Sequence, residues 1–118
     1  MKTTVLLLTL VFFFSCADND VKNEVCGVEN PIEQLAWLKK KKEDLEKMAS
    51  PGKKHIIQYT YKNQPVFLID ACVDCADGLQ YLFNCAGEKI CEFGGIDGRN
   101  TCPDFDKTKT NKIVLWGN

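Results

Sequence analysis

The sequence contains few of the residues that hydrolytic mechanisms use. It has one histidine, His55, and Ser50 is the only serine after residue 15. Ser50 stands beside Pro51-Gly52 without a nucleophile-elbow motif, so the sequence does not support a serine triad. The glycine-rich stretch 94–100 lacks the Gly-Lys-Ser/Thr ending of a phosphate-binding loop. We therefore predict no catalytic residues and no cofactor, and expect a protein that is not an enzyme.

An excess of positive charge is also missing. Lysine and arginine together number 15 against 16 acidic residues, which gives a formal net charge of −1. Proteins that bind nucleic acid need a basic face, and the only basic run is Lys39-Lys40-Lys41-Lys42. Consecutive residues point to all sides of a helix, which is typical of a solvated surface. The sequence therefore predicts no nucleic-acid partner.

The sequence has no apolar run long enough to form a stable transmembrane helix. Its longest run, Val5–Phe14, has about half of the roughly 20 residues that a spanning helix requires. Lys2 precedes this run and the small residues Ser15 and Ala17 follow it. The pattern predicts a signal peptide.

Two cleavage sites are compatible with this leader. Phe13-Phe14-Ser15-Cys16 resembles a bacterial lipobox, in which the cysteine becomes lipidated. This interpretation predicts a signal peptide at 1–15, a lipid-anchored polar tether at 16–25 and palmitate on Cys16. It places the protein at the outer membrane or cell surface, attached to the membrane through its lipid. The alternative is cleavage after Ala17, and either event removes Cys16 from the cysteines that can form disulfides.

The cysteines of the predicted domain at 26–118 are the main constraint on its structure. They are Cys26, Cys72, Cys75, Cys85, Cys91 and Cys102. An even number of cysteines in a small exported protein predicts a disulfide framework. The sequence does not choose among the possible pairings. We expect Cys26 to pair with Cys102 and clamp both ends of the domain, with Cys72 and Cys75 bonded to Cys85 and Cys91.

The pair Cys72-x-x-Cys75 also has the spacing of thiol oxidoreductases. That chemistry needs a thiolate stabilised at a helix N-terminus, whereas this pair follows a predicted strand and stands among Asp70, Asp74 and Asp77. Negative charges raise a thiol pKa, so we favour structural disulfides over redox catalysis. Cysteines beyond Cys75 do not repeat the zinc-site spacing, and the aspartates lie in no calcium-loop pattern. We predict no metal site.

The periodicity of the chain predicts an α+β fold. Asn30-Pro31 is a helix-start signature, and an apolar stripe with helical spacing predicts a helix near 31–49. The β-prone segments His55–Tyr61 and Val66–Ala71 predict a hairpin with Tyr61 opposite Val66. A second hairpin over 79–93 and a short strand over 112–116 follow. Together they predict one N-terminal helix packed on a four- to five-stranded antiparallel meander, cross-linked by disulfides.

Three blocks of the sequence are distinctive: Cys72-Val73-Asp74-Cys75, Asn84-Cys85-Ala86-Gly87, and the stretch from Cys91 to Phe105. They resemble a family of uncharacterised Bacteroidota lipoproteins, and the resemblance covers nearly the whole chain after the leader. It implies a six-cysteine α+β domain that is exported as a lipoprotein. It implies no activity.

The stretch Gly94–Asn100 is the candidate binding loop, with Gly94, Gly95, Asp97 and Arg99 as its candidate residues. A loop fixed at both ends presents itself to a partner at low entropic cost. We predict a lipid-anchored protein with a non-enzymatic binding or structural role and an unknown protein or glycan partner. The alternatives are a protease inhibitor that presents Arg99, and a thiol–disulfide oxidoreductase that uses Cys72 and Cys75. Five aromatic residues are expected to pack in the interior rather than form a sugar-binding platform: Trp37, Tyr59, Tyr61, Phe67 and Trp116.

Overall fold

The computed structural model of the protein describes residues 23–117. The predicted signal peptide at 1–15, the lipidation site Cys16 and most of the tether at 16–25 lie outside the described residues. The elements, in chain order, are α1 (Pro31–Gln34), α2 (Ala36–Lys47), β1 (His55–Tyr61), β2 (Gln64–Asp70), β3 (Leu79–Phe83), β4 (Lys89–Gly94), β5 (Arg99–Asn100), α3 (Phe105–Thr108) and β6 (Thr110–Gly117).

The strands form one antiparallel sheet of six strands in the order β5-β4-β3-β2-β1-β6. The predictions of an α+β class, an antiparallel sheet and disulfide cross-links are confirmed. The prediction of one helix on a four- to five-stranded meander is wrong. β5 is a strand that the sequence did not reveal, and β6 returns across the sheet to pair with β1 rather than continuing beside β5.

A tight turn joins β1 to β2. Lys62 and Asn63 both have positive φ, 49° and 59°, as a two-residue hairpin turn of the favoured handedness requires. Tyr61 consequently pairs with Gln64 and not with Val66, so the expected register is wrong by two residues. Side chains alternate between faces with a period of two. A shift of two residues keeps each side chain on its expected face, so Tyr59, Tyr61 and Val66 lie in one apolar cluster, as expected.

The predicted helix is broken at Leu35. This residue has an extended conformation, with φ −83° and ψ 108°, and separates α1 from α2. The break allows the chain to fold back, so that Nζ of Lys42 lies 2.8 Å from Oε1 of Glu33. In a continuous helix these residues would be separated by about 13 Å along the axis. The ion pair therefore depends on the break.

One face of the sheet packs against α1 and α2. The buried residues of this layer are Ile32, Leu38, Leu45, Ile56, Phe67, Ile69 and Phe83. Trp37 lies at its edge, with its ring centroid 5.6 Å from that of Phe67 in an edge-on arrangement. Its indole N–H donates to the carbonyl of Cys85, 2.9 Å away. Ile32, Leu38 and Leu45 of the predicted apolar stripe thus lie on the inner face of the helices, whereas Met48, the last residue of the stripe, follows α2 and is 48% exposed.

The opposite face of the sheet has its own apolar layer, which the sequence did not predict. Its buried residues are Ile57, Tyr59, Tyr61, Val66, Leu68, Leu82, Cys91 and Phe105. α3 contributes Phe105, which is 2% exposed. The Phe105 ring lies 5.5 Å from the Tyr59 ring and 5.3 Å from the Phe93 ring. Both faces of the central strands β1 and β2 are therefore covered.

Candidate functional site

Two loops that the sequence singled out meet at one end of the sheet. The β2–β3 loop, residues 71–78, follows Asp70, and the β4–β5 loop, residues 95–98, follows Gly94. Because β2 to β5 are antiparallel neighbours, both loops leave the sheet at the same end. The amide of Gly95 donates to the carbonyl of Gly78 at 3.2 Å. We call residues 71–79 and 94–99 the loop end.

The contact between the two loops requires glycine at position 94. Gly94 has a φ of 88°, in the region that favours glycine. A Cβ at this position would also overlap the carbonyl oxygen of Gly78. Any larger residue at position 94 would therefore push the loops apart.

The β4–β5 hairpin is fixed by charge as well as by backbone pairing. The Arg99 guanidinium lies 2.7 Å from Glu92 Oε2 and 3.2 Å from Asp97 Oδ2. These carboxylates raise the pKa of Arg99, while hydrogen bonds from Lys89 and Arg99 lower the pKa of Glu92. Glu92 and Asp97, the two carboxylates that contact the guanidinium, both belong to the same hairpin as Arg99. Arg99 is therefore engaged within the protein and is not presented as a free side chain.

Ile96 occupies the tip of this hairpin and, at 92%, is the most exposed large apolar residue among residues 23–117. The tip is a folded turn, because the amide of Gly98 donates to the carbonyl of Gly95 at 3.1 Å. Leu79, which is 39% exposed, lies beside it. Together with Asp77, Asp97 and Arg99 they line a shallow depression of about 530 Å³. The loop end thus combines an apolar tip with flanking charges.

The six cysteines form three disulfides, Cys26–Cys85, Cys72–Cys75 and Cys91–Cys102. The expected pairing of Cys26 with Cys102, and of Cys72 and Cys75 with Cys85 and Cys91, is wrong. The reason lies in β5. Phe93 pairs with Asn100, and the same register extended by two residues brings Cys91 opposite Cys102, with their Cα atoms 5.7 Å apart.

The Cys72–Cys75 disulfide lies in the β2–β3 loop, where Cys72 is half-buried and Cys75 is exposed. The bonded residues are separated by 3 positions, against 11 for Cys91–Cys102 and 59 for Cys26–Cys85. Chain-entropy estimates give about 2 kcal/mol for closing so short a loop and about 4 kcal/mol for the longer one. The Cys72–Cys75 bond is therefore the least important of the three for stability.

A family profile described as a domain of unknown function (DUF6970) matches residues 41–118. The chain belongs to this family. Neither a curated protein nor a solved structure matches it. The matched region begins within α2 and contains all six strands, so the whole loop end lies inside the DUF6970 domain. Cys26 and α1 precede it.

A buried carboxylate holds the β2–β3 loop of the DUF6970 domain in place. Asp70 is 1% exposed. Its Oδ1 accepts from the amide of Cys72 at 2.9 Å, and its Oδ2 accepts from the side-chain amide of Gln80 at 2.6 Å. The sequence interpretation grouped Asp70 with Asp74 and Asp77 as one acidic cluster, but only Asp70 is buried. Its role is to fix the backbone at the cysteine pair.

His55 and Ser50 both lie near this end of the sheet. Nε2 of His55 is buried, lies 3.9 Å from Asp70 Oδ2 and has no hydrogen-bond partner among residues 23–117. Burial lowers the pKa of His55, and the Asp70 charge opposes this effect only in part. The Ser50 hydroxyl donates to the carbonyl of Ala71 at 3.3 Å. Ser50 and His55 are therefore not hydrogen-bonded to each other.

Two further findings apply to the described part of the DUF6970 chain. No three histidine, cysteine, aspartate or glutamate residues within 23–117 are grouped so that they could hold a metal ion. No helix in the same range is long and apolar enough to cross a membrane.

The structure brings the predicted site residues together in part. Gly94, Gly95, Asp97 and Arg99 lie at the loop end beside the Cys72–Cys75 pair, an adjacency that the sequence did not predict. Ile96 was not among the candidate residues, although its position between Gly95 and Asp97 in a glycine-rich turn was a signal for exposure.

Proposed function

We propose that this protein is an exported, lipid-anchored and non-enzymatic binding protein of the bacterial envelope or cell surface. Its loop end holds a protein partner through Ile96. We also propose that it is one of the Bacteroidota lipoproteins that its sequence resembles, with palmitate on Cys16. The observation that carries the binding proposal is the nearly complete exposure of Ile96 on a rigid turn.

The rigidity of the hairpin supports this role. The Arg99 ion pairs, the Gly95–Gly78 hydrogen bond and the Cys91–Cys102 disulfide all restrain it before any partner arrives. A pre-organised loop loses little conformational entropy on binding. Apolar anchors that fill a partner's pocket supply much of the binding free energy in protein interfaces. Ile96 is placed to act as such an anchor.

The point at which the tether joins the domain also supports binding at the loop end. The Cys26–Cys85 disulfide ties the start of the domain to the turn between β3 and β4. That turn lies at the opposite end of β3 from the loop end, and a strand of this length separates the two by about 16 Å. A lipid on Cys16 would therefore hold the far end near the membrane and direct the loop end outward. Anchoring raises the effective concentration of the domain for a partner at that surface.

A protein partner is better supported than a glycan. Glycan sites present exposed aromatic faces, but Tyr59, Tyr61 and Phe67 are buried in the two apolar layers. The exposed loop end instead offers aliphatic side chains, Ile96 and Leu79. The inhibitor alternative is weakened because Arg99 is held by two carboxylates and its loop is folded rather than extended.

The lipid anchor is tested by changing its attachment residue. We expect Cys16→Ala to abolish incorporation of an alkyne-labelled fatty acid and to release the protein from the detergent phase. The unchanged chain should begin at an acylated Cys16 when its N-terminal peptide is analysed by mass spectrometry. Cys26→Ser is the matched control, since it removes a cysteine without removing the anchor. An N-terminus at Asp18 without acyl mass would contradict the proposal.

The partner surface is tested by placing a photoreactive amino acid at position 96 in the anchored protein. We expect a discrete crosslinked product on the native cells, and none from position 114. Val114 is the control because it is also an exposed aliphatic residue, at 58%, but lies on edge strand β6.

Ile96→Asp provides the second arm of this experiment. It should weaken binding of the captured partner by at least about tenfold, in line with the loss of an interface anchor. It should leave thermal unfolding unchanged, since the side chain contacts little of its own protein. Equal crosslinking from positions 96 and 114, or full binding by the aspartate variant, would contradict the assignment of Ile96.

A further inference from the structure

We propose that the Cys72–Cys75 disulfide is a thiol–disulfide exchange site, in which an external thiol attacks Sγ of Cys75. The three disulfides differ in their access to solvent. Cys75 is the only exposed cysteine among residues 23–117, whereas Cys91 is buried and the other four are half-buried. An attacking thiolate must reach one sulfur of the bond directly. Exposure therefore selects both the bond and the sulfur that is attacked. This exchange is a stoichiometric reaction of one disulfide, and it does not depend on the partner proposed for Ile96.

The backbone of the β2–β3 loop is held without the disulfide. The amide of Val73 donates to the carbonyl of Lys53 at 2.8 Å, and the amide of Cys72 donates to the buried Asp70 at 2.9 Å. The amide of Gly78 closes the second turn on the carbonyl of Cys75 at 3.0 Å. Opening the S–S bond leaves these contacts intact. The two thiols consequently remain close, and the bond can open and close again while the domain stays folded.

The Cys72 sulfur is held in place by its packing when the bond opens. It packs against Gly52, where a Cβ would overlap the Cys72 Sγ atom. Position 52 therefore has to be a glycine for Cys72 to keep its place. The released thiol stays in this position, from which it can attack a mixed disulfide on Cys75.

The exchange needs no reactant other than external thiols and the Cys72–Cys75 disulfide. The thiolate of an external thiol attacks Cys75 Sγ, the Cys72–Cys75 bond breaks, and Cys72 leaves as a thiolate that takes a proton from water. The product is a mixed disulfide on Cys75. A second external thiolate attacks the sulfur of the first, forms the external disulfide and releases the Cys75 thiolate, which is protonated in turn. Two external thiols are oxidised to one disulfide as the cysteine pair is reduced, and the reverse reaction reoxidises the pair with an external disulfide.

The charges around Cys75 define the class of thiol. Asp74 and Asp77 flank it on exposed positions of the same loop, and Asp97 is on the adjoining hairpin with an exposed side chain. Two basic residues lie at the same end of the sheet: Arg99, which is paired with Asp97, and Lys53, whose carbonyl accepts from the amide of Val73. Asp74 and Asp77 have no ion pair among residues 23–117 that offsets their charge. The negative charges of these carboxylates repel an approaching anionic thiol and attract a cationic one. The site therefore favours cationic thiols, or a cysteine in a basic segment of a protein, over anionic thiols.

The first test follows the order in which the disulfides open in the folded protein. The oxidised full-length protein is incubated with cysteamine, quenched with acid at intervals, alkylated and mapped by mass spectrometry. We expect Cys72 and Cys75 to be alkylated at least about tenfold faster than the other four cysteines, as accessible bonds exchange faster than protected ones. Simultaneous opening of all three bonds, or opening of another bond first, would overturn the proposal.

The second test identifies the attacked sulfur. Cys72→Ser leaves the exposed Cys75 thiol free, and Cys75→Ser leaves the packed Cys72 thiol free. We expect the Cys72→Ser variant to form a mixed disulfide with cystamine faster than the Cys75→Ser variant. Equal rates, or a faster Cys75→Ser variant, would overturn the assignment to Cys75. Both variants keep the other two disulfides, and unchanged near-ultraviolet circular dichroism verifies their fold.

The third test keeps all six cysteines and changes only charge. Rates are measured with cysteamine and with the anionic thiol mercaptoethanesulfonate, each corrected for its thiolate fraction. We expect cysteamine to react several-fold faster, and the double variant Asp74→Asn/Asp77→Asn to remove most of this preference. Asp44→Asn on α2 is the matched control and should retain it. No preference in the unchanged protein, or a preference that survives the double variant, would overturn the proposed thiol class.

Discussion

Replacing Phe105 with alanine should lower the free energy of unfolding by about 3–5 kcal/mol, the usual cost of removing a fully buried phenylalanine. Phe105 is 2% exposed and is the only buried residue of α3. Its ring meets those of Tyr59, Tyr61 and Phe93 at centroid distances of 5.2–5.5 Å. Alanine would leave a cavity bounded by these rings. It would lie on the face of the sheet where α3, with four residues, is the helix that provides cover.

Urea unfolding followed by tryptophan fluorescence measures this change. Phe105→Leu is the graded control, and we expect it to cost less because it retains most of the buried volume. Asp106→Ala is the positional control, since the Asp106 side chain is 76% exposed. A loss below about 1 kcal/mol for Phe105→Ala, typical of a surface site, would contradict the role of α3 as the cover of this face.

The importance of Phe105 could not be predicted from the local sequence. Its helix has four residues, too few to display a helical period, and Asp104 and Asp106 on either side indicate an exposed turn. The residue is buried because Tyr59, Tyr61 and Phe93 come together there from strands that are distant in sequence. By contrast, β1 and β2 were predictable. Their β-branched and aromatic residues form continuous runs, and Asn63 accommodates the positive φ that the turn requires.

The helix shows how a correct pattern can hide a structural break. Ile32, Leu38 and Leu45 have the expected spacing, and all three are buried against the sheet. Periodicity reports which residues face the interior. It does not report that the backbone is extended at Leu35. The stripe stays on one side because both short helices pack against the same face, while the break sets the angle between them.

The candidate site was predictable in its parts but not in its assembly. The Gly94–Asn100 stretch and the Cys72-x-x-Cys75 motif were both recognised from spacing. Their contact through Gly78 and Gly95 depends on the order of strands in the sheet, which spacing does not encode. The cysteine pairing was missed for the same reason, because Cys91 meets Cys102 only through β5. Asp70 was missed because an aspartate beside an exposed loop is normally solvated, and burial here depends on Gln80 from the next strand.

Removing the Cys26–Cys85 disulfide should lower the free energy of unfolding by about 4 kcal/mol, twice the loss of about 2 kcal/mol expected for Cys72–Cys75. The two bonds close loops with separations of 59 and 3 residues, so the first constrains the unfolded chain far more. The comparison uses the double variants Cys26→Ser/Cys85→Ser and Cys72→Ser/Cys75→Ser, each retaining Cys91–Cys102, in urea unfolding under non-reducing conditions. The Cys26–Cys85 variant should also show faster proteolysis near residue 26, because the start of the domain is no longer tied to the turn beneath Trp37. Equal losses in the two variants, or a larger loss for the Cys72–Cys75 pair, would show that the short bond is the structural one. That result would also argue against reversible exchange at Cys75.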